Sequence, residues 1–172
     1  MSASFSRDDV EEAVRRVMLA VRALQEEGVL SRFDLHVVVA DPAVMPWDLC
    51  RGNDRVISWI LYEESFGNKA EWEYPYDLIA RSKTELSWLY GMTTQRIQTE
   101  APHLLRDGDT IYFGSAVGFG LTVGVSGVKA YHDQMIAEWI LSACRAIVLE
   151  KVAKGELPLD AGGNFLQVHR AA

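Results

Sequence analysis

The chain has 172 residues, of which 49% are hydrophobic and 24% charged, so it can build one domain with a core and is not disordered by composition. A net charge of −7 and a pI near 5.1 exclude a broad nucleic-acid interface, which needs a basic face. Two cysteines, Cys50 and Cys144, without a CxxC spacing exclude a disulfide scaffold and a structural zinc centre. The N-terminus is charged and lacks an apolar signal core, and no apolar run is long enough to span a bilayer. A soluble cytoplasmic protein with no membrane partner is expected.

In chain order, Ser6-Arg7-Asp8-Asp9 reads as a helix N-cap with a carboxylate three residues on. Val10, Ala13, Val14, Val17, Met18, Val21 and Leu24 then keep helical spacing up to Gly28. Leu35–Ala40 is a nearly continuous apolar, valine-rich run that predicts a central strand, with His36 a satisfied sheet residue rather than a ligand. Asp41-Pro42 ends it. In Met45–Arg55 large and polar residues alternate before a glycine turn; Trp47 is a candidate ring for a flat ligand. Arg51 and Asp54 read equally well as a structural ion pair or as site residues. Val56–Phe66, with Trp59, Ile60, Tyr62 and Phe66, is expected to form a helix packed on the sheet.

Trp72, Tyr74 and Tyr76 alternate with acids around Pro75. They suit either an aromatic wall for a flat ligand or a subunit contact. A helix is predicted over Asp77–Tyr90, stopped by Gly91 and carrying Lys83, which as a helical lysine would ordinarily be solvated. Thr93-Thr94 open a short helical turn through Ile97. Asp107-Gly108 marks a turn in the loop carrying His103 and Arg106. Ile111–Phe113 and Phe119–Val125 are expected to form the last strand pair, which places Tyr112 at a strand end. The glycines around them lack the GxGxxG spacing and precede a strand, so they are no dinucleotide fingerprint.

The most informative stretch is Gly120–Arg145. Leu121, Val123 and Val125 alternate with Thr122 and Gly124, Gly127 allows a sharp turn, and a helix follows from Asp133. Its expected buried stripe is Ile136, Trp139, Ile140, Ala143 and Ile147. Lys129, Tyr131, His132 and Asp133 cluster at this junction, where free N–H groups and a positive helix end favour an anionic ligand. Beyond Glu150 the chain turns polar and glycine-containing, so a single domain over 1–150 and a tail over 151–172 are expected.

GVSGVKAYHDQMIAEW resembles the closing strand–turn–helix of the GlcG/HbpS-like family, also described as haem-degrading or PduO C-terminal-like. LHVVVAD is similar to that family's first core strand, and ARSKTELSWLYGMTT to its lysine-bearing helix. These segments occur in family order. The resemblance implies an α+β domain of profilin-like architecture: a mainly antiparallel sheet flanked by the N-terminal, Asp77–Tyr90 and Asp133–Glu150 helices. It places Lys83 at the family's helix lysine. It also implies, as one alternative, a haem- or corrin-binding module without catalysis, with His103 or His132 as axial ligand.

A second, shorter resemblance joins WDLCRGNDR, EYPYDL, LRDGDTIYFG and YHDQM to the hydroxylaminobenzoate lyases of nitroaromatic degradation, which release ammonia and leave a catechol acid. It implies a cofactor-independent enzyme whose partner is a small aromatic carboxylate. His132 with Asp133 or Asp54 would move protons. Arg51 or Arg106 would clamp the carboxylate, and Tyr74, Tyr76, Lys83, Tyr112 and Trp47 would complete the binding surface. No HxH or HxxxH pair suggests a metal site. Exposed aromatics such as Trp72 point to a homo-oligomer.

Overall fold

A computed structural model describes residues 5–48 and 58–157. The elements run α1 (Arg7–Glu26), β1 (Leu35–Ala40), β2 (Ile60–Phe66), α2 (Tyr76–Tyr90), α3 (Thr94–Glu100), β3 (Ser115–Gly118), β4 (Leu121–Ser126) and α4 (Ala130–Ala153). Single 3-10 turns lie at Pro46–Asp48, Lys69–Glu71 and Pro102–Leu104. The four strands form one sheet in the order β2-β1-β4-β3, antiparallel at every pairing. The α+β class expected from the sequence is the class observed.

Strand alternation divides the sheet into two unlike faces. On one, Leu35, Val37 and Val39 of β1 meet Leu121, Val123 and Val125 of β4 beneath α1 and α4. Val10, Ala13, Val14, Val17 and Val21 come from α1, and Ile136, Ala137, Ile140, Cys144 and Ile147 from α4. These residues follow helical spacing, so each helix buries one apolar stripe. Trp139 lies off that stripe and is 37% exposed; Leu141 and Val148 take the expected inward places. Burial raises the Cys144 thiol to about 12, so it acts here as a small apolar residue. Helix α1 is closed at its start by the predicted capping box: the Asp9 N–H donates to Ser6 Oγ, and the Ser6 N–H donates to the Asp9 carboxylate.

Helix α2 covers the opposite face, and there the buried groups are polar. A Cβ at Gly124 would collide with Thr84 Oγ1 and the Ala80 carbonyl, so the helix backbone rests directly on β4. Ser115 Oγ lies 2.7 Å from Ser87 Oγ and 2.9 Å from Thr94 Oγ1, and it accepts the Thr94 N–H at 2.8 Å. The buried hydroxyls thus satisfy one another. Helix α3 starts where expected, with Thr93 as its N-cap, and α2 ends at Gly91 in the left-handed region, φ 63°. His36 is satisfied within the sheet: Nδ1 lies 2.8 Å from Ser65 Oγ and Nε2 3.4 Å from Glu63.

Three expectations are corrected. Of Val56–Phe66, residues Ile60–Phe66 form a strand, not a helix. The segment alternates, with Tyr62 entering the core, Glu63 facing His36 and Arg81, and Glu64 exposed, and it pairs with β1 along its length. Ile111–Phe113 is not a strand; β4 pairs instead with Ser115–Gly118 through a two-residue turn, Phe119-Gly120, with φ of 55° and 78°. Ser115 faces the tightly packed α2 side, whereas Ala116 enters the aliphatic core on the other face, where a Cβ at Gly118 would stand 3.3 Å from Leu141 Cδ2. Helix α4 also passes the expected boundary at residue 150. It continues to Ala153, Lys151 pairs with Asp9 at 2.6 Å, and Leu157 is buried. Among the described residues no helix is long and apolar enough to cross a membrane.

Candidate functional site

Where β4 ends, Gly127 turns the chain at φ 148°. A Cβ there would collide with the Asp34 carbonyl and Leu35 Cα, so the turn fits only against the start of β1 if residue 127 has no side chain. The turn delivers the first residues of α4 to the same end of the sheet as the start of α2. Between them lies a cleft of about 460 Å³. Tyr74, Tyr76, Tyr112, Phe113 and Tyr131 give it aromatic walls, and Ile79 and Val128 add aliphatic surface.

Lys83 and Asp133 also line the cleft, although each is almost fully buried. Lys83 Nζ donates to Asp133 Oδ2 at 2.9 Å and to the Val125 carbonyl at 2.8 Å. Asp133 Oδ1 accepts the Val128 N–H at 3.0 Å, which ties the carboxylate to the glycine turn. Burial pushes the Lys83 amine below its ordinary range and the Asp133 carboxyl above its own, while the mutual attraction of the pair opposes both shifts. Proton exchange between the two is therefore easier than between a surface lysine and a surface aspartate.

Arg32, from the loop between α1 and β1, donates to the Tyr76 hydroxyl at 2.6 Å and lies 3.4 Å from Glu73. Burial raises the Tyr76 phenol, with the nearby Arg32 opposing that rise. Lys129, the N-cap of α4, makes no side-chain capping bond, so the N–H groups of the first turn are not closed off by it. Arg32, Lys83 and Lys129 outnumber Glu73 and Asp133 among the lining residues. With the positive end of α4, they bias the cleft toward an anion.

Of the residues singled out in the sequence, Asp133, Lys83, Tyr74, Tyr76 and Tyr112 converge here. His132 does not line the cleft. Its ring stands edge-on to Tyr131 at 4.4 Å, and Nδ1 is buried without a hydrogen-bond partner among the described residues. Helical geometry explains the separation, since neighbours in one turn point about 100° apart and Asp133 takes the inward direction. Arg106 is exposed and pairs with Asp109 at 3.3 Å, and Trp47 is exposed in the 3-10 turn Pro46–Asp48; neither reaches the cleft. Arg51 and Asp54 lie outside the described residues. Trp72, expected to be exposed, is half-buried against Tyr76 at 5.2 Å. Arg32 was not legible as a site residue. Its one signal is an arginine in the loop that enters the central strand.

No family model, no curated protein and no solved structure matches the chain. The GlcG/HbpS-like and lyase resemblances thus rest on the segments quoted above. Among the described residues no group of three or more histidine, cysteine, aspartate or glutamate side chains is arranged to hold a metal ion. A haem held by a histidine does not fit the cleft, because neither His103, exposed in the Pro102–Leu104 turn, nor His132 lines it.

Proposed function

We propose that the protein is an enzyme acting on a small aromatic carboxylate, with the chemistry of a hydroxylaminobenzoate lyase. The observation that carries this reading is the buried Lys83–Asp133 pair at the inner surface of a phenol-walled, cationic cleft. Tyrosine rings match the face of a benzoate, and Arg32 and Lys129 match its carboxylate. The pair supplies a proton donor and acceptor screened from water.

The reaction is the addition of one water to a hydroxylaminobenzoate, giving a dihydroxybenzoate and ammonia. A proton from the Lys83 ammonium goes to the N–OH oxygen. The N–O bond breaks with its electron pair on oxygen, which leaves as water. A second water adds to the neighbouring ring carbon and gives up a proton to Asp133. The ring carbon bearing nitrogen is then an imine, and its hydrolysis releases ammonia. Loss of the ring proton restores aromaticity as a catechol acid. The nitrogen is reduced as the ring is oxidised, so no external oxidant is consumed.

The test is to incubate the purified protein with 4-hydroxylaminobenzoate and follow ammonia and dihydroxybenzoate. Stoichiometric release is expected, with Arg32→Ala raising KM more than it lowers kcat. Absence of both turnover and saturable benzoate binding overturns the reading. We also propose a homo-oligomer working in the cytoplasm. Leu19, Val29 and Ile111 are exposed large apolar side chains, and Cys144 is a free thiol. Sedimentation at several concentrations tests the assembly.

A further inference from the structure

We propose that Lys83 is a covalent catalyst: its amine attacks the ring imine, expels ammonia, and is released from the resulting Schiff base by water. This rests on the aromatic-acid reading for its substrate, but the geometry of the amine carries it. Lys83 Nζ has two acceptors, the Val125 carbonyl and Asp133 Oδ2. An ammonium has three N–H donors, whereas a neutral amine has two and a lone pair. The two acceptors leave one N–H of the ammonium free to be given up. Once it is gone they satisfy the neutral amine completely and leave its lone pair unengaged by the described residues.

The surroundings keep space beside that nitrogen. Gly114, at φ 141°, passes close by, and a Cβ on it would stand 2.9 Å from Nζ and 2.7 Å from Asp133 Cβ. Any other residue at 114 would crowd the amine. Lys83 is 1% exposed yet lines the cleft, so a molecule seated there meets the nitrogen in a dry setting. Desolvation is the usual way a lysine is made a nucleophile.

The step balances. In cleaving the N–O bond Lys83 has given up its proton and is a free amine. Its nitrogen bonds to the imine carbon, the original C–N bond breaks, and ammonia departs with the proton held on Asp133. Water then adds to the Lys83 Schiff base, regenerating the amine and leaving a ring carbonyl that tautomerises to the catechol.

The experiment uses 4-carboxybenzaldehyde with cyanoborohydride on the full-length protein, followed by peptide mapping. One alkyl group on Lys83 is expected, formed faster than on any surface lysine and slowed by added 4-hydroxybenzoate. Mapping the unmodified sequence locates the adduct without relying on a variant. Lys83→Arg should abolish the fast phase while folding is checked by circular dichroism. Labelling spread over surface lysines with Lys83 spared overturns the proposal, even if ammonia is released from the hydroxylaminobenzoate. Labelling at Lys83 without ammonia release keeps the nucleophile and removes the lyase.

Discussion

The two faces of the sheet are built on opposite principles. The face under α1 and α4 is aliphatic throughout its centre, and its stability comes from removing Val, Leu and Ile side chains from water. The face under α2 buries Lys83, Thr84, Ser87, Thr94, Ser115 and His36, each held by hydrogen bonds. An aliphatic face tolerates small errors of position, because dispersion and burial are not directional. A polar face does not, since each lost partner leaves a desolvated group behind. The cleft lies at the edge of the polar face, where groups are already fixed in direction.

The largest effect should come from breaking the polar face at its ion pair. Asp133→Ala leaves the Lys83 amine without its carboxylate and should cost about 3–5 kcal/mol, read from the urea midpoint. Replacing both partners, with Lys83→Met and Asp133→Leu, should recover much of that loss while abolishing ligand binding. If the double variant is no more stable than the single one, the cost lies in the glycine turn tied by Asp133 and not in the unpaired charge. On the aliphatic face Ile140→Ala should cost about 2–5 kcal/mol through lost burial and a cavity, without changing benzoate affinity in the folded protein. A matching loss of affinity would show that the two faces are coupled.

Smaller changes sharpen the contrast. Ser6→Ala removes the α1 cap and should cost about 1 kcal/mol, seen as a lowered Tm. The pH response belongs to the polar face. Burial lowers the His36 pKa below 6.5, against the opposing pull of Glu63. The unfolded chain therefore takes up the proton first as pH falls. Stability is full above about 6.5 and declines toward the folded pKa, because the unfolded state binds more protons there. Glu63, held below 4.5 chiefly by Arg81, adds a second decline at lower pH. His36→Asn should flatten the upper part of the profile of urea midpoint against pH and leave the lower part. The least effect is expected at Arg96 and Glu100, an exposed pair on α3, where Arg96→Ala should leave Tm unchanged.

The same contrast explains what could be read in advance. Helices α1 and α4 were legible because each buries a periodic apolar set along a single stretch of chain, and β1 because it is a short continuous valine-rich run. Helix α2 was legible from its length and its Gly91 stop, although much of what it buries is polar. Strand β2 was not. Ile60-Leu61-Tyr62 reads as an apolar run, and its period becomes visible only once Val39 and Val37 stand opposite Tyr62 and Glu64. Strand β3 is four small or β-branched residues wedged between α2 on one face and α4 on the other, which is a long-range constraint. In the site, Asp133 was singled out by its place at the strand-to-helix junction and Lys83 only by the resemblance. As a helical lysine Lys83 was expected to be solvated, and its burial at 1% exposure depends on a contact with Asp133 that spans 50 residues. Arg32 reaches Tyr76 across 44 residues and had no local signal, while His132 was misplaced by a single position on a helix.

Helix α4 is the last element the structure describes, and it closes on the first. Arg16 bonds Glu150 at 2.9 Å, and Lys151 bonds Asp9. While the ribosome is still making residues 130–153, the valines of β1 and β4 and the stripe on α1 have no lid. The apolar face of the sheet is therefore completed only when the distal segment has been made and can pack on it.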